Sequence, residues 1–75
     1  MSFQNRSTED LVRIADAGAG FRLDVVGRPT DDLVRIAGAA SSWGVRLLFA
    51  GVDGRSTEDL VRIAAAGEGC VEFEG

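Results

Sequence analysis

The groups in this sequence most able to do chemistry are carboxylates and guanidiniums. Six carboxylates come in adjacent pairs, Glu9/Asp10, Asp31/Asp32 and Glu58/Asp59. Paired carboxylates can hold a divalent cation or divide acid and base roles between them. Neighbouring residues on a helix point about 100° apart, so these pairs do not converge on one ion. Each pair also stands where an apolar periodic segment begins, and carboxylates are favoured at the positive end of a helix. Helix-start electrostatics therefore accounts for them.

Arg6, Arg28 and Arg55 precede the three pairs. A row of arginines beside helix N-termini can attract phosphate. Two carboxylates accompany each arginine here, so pairing with those acids is the expectation. "GAG" at Gly18 and "GEG" at Gly67 look like pieces of a phosphate loop. In the nucleotide fingerprint, however, the glycine turn follows a strand and opens a helix, whereas here the order is reversed. Cys70 has no histidine to activate it, Ser7, Ser41, Ser42 and Ser56 have no base, and no lysine is present for a Schiff base. A single thiol makes neither an internal disulfide nor a metal site. No catalytic, cofactor-binding or metal-binding residue is expected, and no enzyme.

The formal net charge of −4 carries no basic patch, which argues against nucleic acid. No apolar run reaches the roughly 18 residues of a membrane span, and the opening "MSFQNRSTED" lacks the regions of a signal peptide. The expectation is a cytoplasmic protein without membrane or nucleic-acid partners.

The elements that position these residues come from repetition. "STEDLVRIA" occurs at Ser7 and again at Ser56, with "PTDDLVRIA" at Pro29. Such periodicity comes first in reading a fold. We divide the chain, a single domain over 1–75, into units 6–27, 28–54 and 55–75 preceded by a short N-terminal strand in "SFQN". Leu11, Ile14, Ala15 and Gly18 fall on one face of a helix. Thr8 is the expected N-cap, with Ser7 as the alternative, because the middle unit keeps Thr30 but replaces the serine by Pro29. Glu9 with Arg13, Asp31 with Arg35 and Glu58 with Arg62 are favourable pairs four residues apart. Gly18 and Gly67 are expected to stop their helices. Ala39 and Ala40 lengthen the middle one.

The second half of each unit alternates. "FRLDVV" (21–26), "VRLLFA" (45–50) and "VEFE" (71–74) have period two with β-branched and aromatic residues, the mark of strands. Of the two possible registers for the last strand, the one that turns Val71 and Phe73 inward keeps Glu72 out of the core. The order is β-α-β-α-β-α-β, which implies a parallel sheet with right-handed crossovers. One strand face carries Gln4, Arg22, Asp24, Arg46, Glu72 and Glu74 and is wet, so all three helices lie on the other. The expected fold is α/β, a four-stranded parallel sheet of order 1-2-3-4 with three helices on one face.

This arrangement resembles the α/β-solenoid repeat proteins, of which leucine-rich repeats are the familiar natural kind. The likeness is architectural. "FRLDVVG" and "VRLLFAG" lack both the leucine spacing and the asparagine of the leucine-rich motif. "DLVRIA" in all three units also resembles consensus or designed repeats, with recent duplication as the other origin. The resemblance implies a scaffold or binding surface.

A chain of 75 residues buries only about 60% of its unfolded surface, and its sheet edges are open. The expected partner is therefore another copy or another protein. Candidate interface residues are Val26, Leu48 and Ala50, an apolar strip on the wet face, with Arg22, Arg46, Glu72 and Glu74 around it. Asp24, Glu72 and Glu74 can balance the two arginines within one chain or between chains. Trp43, the only tryptophan, either anchors a partner or caps the middle helix.

Overall fold

The computed structural model describes residues 6–74. Six elements alternate along the described residues: α1 (Thr8–Asp16), β1 (Phe21–Asp24), α2 (Thr30–Ser41), β2 (Leu47–Ala50), α3 (Thr57–Gly67) and β3 (Val71–Glu74). The strand expected in "SFQN" lies outside the described residues. Among those described, the sheet has three parallel strands in the order β1-β2-β3. Phe21, Leu47 and Val71 stand side by side, as do Leu23, Phe49 and Phe73. This is the register that turns Val71 and Phe73 inward.

Parallel strands need a crossover, and each helix supplies one. α1 packs on α2 and α2 on α3. Together they cover the sheet face that carries Phe21, Leu23, Leu47 and Phe49. Leu11, Leu33, Ile36, Leu47, Phe49 and Ile63 are fully buried there, and no polar residue is buried with them among the described residues. The opposite face carries Arg22, Asp24, Arg46, Glu72 and Glu74, all exposed.

Three local expectations are corrected. The N-caps are serines, not threonines: the Ser7 hydroxyl accepts the Asp10 amide at 3.2 Å and the Ser56 hydroxyl accepts the Asp59 amide at 3.1 Å. Pro29 takes the same place before α2 with no side-chain bond, its ring fixing φ at −62° while ψ is extended at 146°. The threonines are thereby left to face the neighbouring helix. The pairs four residues apart are also replaced. Arg35 reaches Glu9 and Arg62 reaches Asp31, each on the preceding helix. Finally, Gly67 does not stop α3. It is buried in the last turn, where a Cβ would collide with the Val71 side chain, and Glu68 takes the left-handed conformation instead (φ 48°). Gly18 does end α1, at φ 97°. α2 runs through Ala39 and Ala40 to Ser41.

Gly20 precedes β1 where the chain passes against β2. A Cβ there would meet the backbone carbonyl of Arg46. Gly38 is the opposite case, since a Cβ in mid-α2 would meet nothing. Gly20→Ala should therefore lower unfolding stability by about 2 kcal/mol or more, through a clash that backbone cannot relieve cheaply. Gly38→Ala should raise it by up to about 1 kcal/mol, through helix propensity alone. Urea unfolding of the two variants beside the parent checks both signs.

Candidate functional site

The polar side chains that come together in this fold do so along the seams between helices. At the α1/α2 seam, the Thr8 hydroxyl donates to Asp32 Oδ2 at 3.0 Å and accepts from Arg28 Nη1 at 3.5 Å. Arg28 Nη2 also donates to the Arg6 carbonyl at 2.8 Å. Arg35 closes the outer side on Glu9 at 3.3 Å. At the α2/α3 seam every partner moves on by one unit. The Thr30 hydroxyl donates to Asp59 Oδ2 at 3.2 Å and accepts from Arg55 Nη1 at 3.0 Å. Arg55 Nη2 donates to the carbonyls of Arg28 and, at 2.6 Å, Val25. Arg62 closes on Asp31 at 2.9 Å.

Each threonine hydroxyl thus serves one donor and one acceptor, using both kinds of capacity a hydroxyl has. Arg28 and Arg55 are spent on threonines and backbone carbonyls, not on the local acids expected from sequence. Thr8, Thr30, Asp32 and Asp59 are half-buried, where a hydrogen bond to a charged group contributes about 1.5–3 kcal/mol. The outer pairs, Arg35–Glu9 and Arg62–Asp31, have side chains more than half exposed, and such pairs contribute roughly 0–1 kcal/mol each.

The seams also sort the apolar residues. Val12 and Val34, each facing the next helix, are half-buried; the equivalent Val61 is 60% exposed, with no helix beyond it among the described residues. On the other flank, Ile36 and Ile63 are fully buried while Ile14 is only half-buried. Ile14 lines a shallow groove of about 330 Å³ with Arg6, Asp10, Arg13 and Ala17.

The residues expected at an interface are scattered by comparison. Arg22 pairs with Glu74 at 3.3 Å and Arg46 with Glu72, so the wet-face charges are balanced inside one chain. The hydrogen bond to Glu72, followed by its charge, raises the Arg46 pKa above its ordinary value. Val26 is 65% exposed and Leu48 half-buried. Ala50 is not part of an exposed strip. It is 7% exposed, a methyl on the central strand lying between Asp24 and Glu74 of its neighbours. Trp43 is 60% exposed, with its backbone amide bonded to Ala40 at the end of α2 and its ring nitrogen donating to Asp16 of α1 at 3.4 Å. Cys70 is half-buried against the core edge, and its carbonyl accepts the Leu47 amide.

A hollow of about 550 Å³ lies beyond the carboxyl ends of β1 and β2, lined by Val26, Gly27, Arg28, Gly51, Asp53, Gly54 and Arg55. Open α/β sheets bind ligands at such ends. The two guanidiniums on its wall are the ones that brace the seams. Among the described residues no three metal-ligating side chains gather, and no helix is long and apolar enough to cross a membrane. Comparison with protein-family models, curated proteins and solved structures found no match.

Sequence reasoning missed the threonine relay. Its signal was present, since "T-x-D" recurs at all three helix starts and parallel strands bring equal positions level with one another. Thr30→Val should cost about 1–3 kcal/mol in the dilute chain, because it leaves Asp59 Oδ2 and Arg55 Nη1 without their hydroxyl partner. Thr57→Val, at the equivalent position with no helix beyond it among the described residues, should change stability by less than about 0.5 kcal/mol. Thermal and urea unfolding at low protein concentration separates the two.

Proposed function

We propose that this chain is a non-enzymatic structural protein, a short α/β solenoid that associates with copies of itself. The observation that carries this reading is the recurrence of one set of polar contacts at both helix seams, with half of the set left over on each outer helix. A unit that repeats by translation has no intrinsic last member. In this reading "SFQN" adds a fourth strand beside β1, giving the order 1-2-3-4, and the sheet is open at both edges. The amide of Leu47 bonds to Cys70 and that of Gly51 to Glu74, so alternate residues of β3 face β2. The backbone groups of Val71 and Phe73 then point to the open edge, where a strand of another copy can pair.

Association through the wet sheet face is the weaker route. Its arginines already have partners within the chain, and Ala50 is covered. The absence of histidine and lysine, and the use of Arg28 and Arg55 as braces, support a role without catalysis. Trp43 supports a second reading, recognition of a different protein, because it is exposed and yet held at two points.

Static light scattering over rising concentration tests the first reading. The expected result is a mass that climbs above the 7.9 kDa of one chain. A mass fixed at that value at every concentration overturns it. Trp43→Ala should leave the concentration dependence unchanged; loss of association in that variant would favour the second reading.

A further inference from the structure

Resting on the self-association reading, we propose that the occupant of the outer α3 flank is the outer α1 flank of a second copy. Two pairs fix the register: Glu58 with the partner copy's Arg13, and the Thr57 hydroxyl with its Asp10.

The two internal seams carry the argument. On each helix one flank presents a threonine and an acid: Thr8 and Glu9, Thr30 and Asp31, Thr57 and Glu58. The other flank presents an aspartate and an arginine: Asp10 and Arg13, Asp32 and Arg35, Asp59 and Arg62. Threonine meets aspartate and acid meets arginine at both seams, at 3.0 and 3.2 Å for the first pair and 3.3 and 2.9 Å for the second. The pattern leaves one threonine–acid flank on α3 and one aspartate–arginine flank on α1. Among the described residues, no hydrogen bond or ion pair engages the side chains of Asp10, Arg13, Thr57 or Glu58. The α3 flank carries one net acid and finds complementary charge only on α1, since an α3/α3 contact sets Glu58 against Glu58. A two-fold α1/α1 contact can pair Asp10 with Arg13, but it leaves Thr57, Glu58 and Val61 uncovered, and in it Glu58→Arg would change nothing.

The apolar residues agree. Val61 is 60% exposed where Val12 and Val34 are half-buried, and Ile14 is half-buried where Ile36 and Ile63 are fully buried. Placing Ile14 of one copy against Val61 of the next gives both the surroundings their internal equivalents have. The contact is heterologous and sets β1 of the second copy beside β3, in the place the "SFQN" strand takes in a free copy, so it generates an open stack instead of a closed dimer.

Charge exchange tests the pairing. Arg13→Glu and Glu58→Arg each place like charges across every junction, and each should raise the concentration of half-association about tenfold, or 1.4 kcal/mol. The double variant R13E/E58R, and an equimolar mixture of the two single variants, should both return to within about threefold of the parent, since opposite charges then meet at every junction. The differences should shrink in high salt. Both positions are exposed, and circular dichroism establishes that each variant is folded. If the parent does not associate at all, the self-association reading falls and takes this one with it. If the parent associates and the single variants associate equally well, or if the mixture stays as weak as its components, only the flank pairing is overturned.

Discussion

Stacking equal units by translation imposes one constraint on everything else: each helix meets the next through its opposite flank, so a flank residue never faces its own copy across a seam. The parallel register sets Phe21, Leu47 and Val71 level, and therefore sets the three "DLVRIA" segments level above them. Each helix must then be complementary to itself across two different flanks. Apolar contacts meet this requirement easily, because they are non-directional. Polar contacts do not, and they account for the strict recurrence of threonine and aspartate at each helix start. A threonine can both give and accept, so one hydroxyl ties the arginine of the next unit to that unit's own aspartate. Three residue types close a seam with few unmet polar groups, although Arg55 Nε remains buried without a partner.

This constraint also explains which features were legible in the sequence. Alternation in "FRLD" and "VEFE", the apolar stripe of Leu11, Ile14 and Ala15, and the inward turn of Val71 and Phe73 are set by local period and by burial. Those are the signals that a single segment carries. The capping residue was not legible in the same way. Ser7 and Thr8 both have hydroxyls, and Pro29 in the middle unit favoured threonine. The middle helix in fact starts without a side-chain cap, because proline has no side-chain acceptor and contributes only its fixed φ. The helical pairs failed for a related reason. Glu9 with Arg13 is good spacing on an isolated helix, but a neighbouring helix offers Arg35 on the same acid, and sequence distance hides that neighbour. Gly67 reads as a stop in sequence and acts as a clearance for Val71 in space.

The site was less legible than the fold. Exposed aromatics and a wet apolar strip are general signs of contact surfaces, and they pointed to Trp43, Val26, Leu48 and Ala50. The structure spreads these residues over different surroundings, with Ala50 covered and Trp43 tied to Asp16. The coherent surface is instead built from helix-start residues already explained, within one unit, as caps and dipole partners. Their second role appears only when two units are placed side by side.

Strength and order come from different groups in such a seam. Arg35–Glu9 and Arg62–Asp31 are too exposed to hold two helices together. Burial of valine and isoleucine supplies the attraction, at about 25 cal/mol for each Å² removed from water. Yet apolar flanks alone would permit sliding by a turn, since "DLVRIA" offers similar residues one turn away. The threonine relay and the outer ion pairs penalise that slip, because a displaced helix would leave charged groups half-buried without partners. A body of 29 × 25 × 18 Å has small end faces. In the proposed stack, a junction between two of them would fall at the low end of interface sizes, where complexes are transient and concentration decides how many form. Weak attraction with a sharply defined register is what the proposed stack would require: a copy could leave and rejoin, each time in the same place.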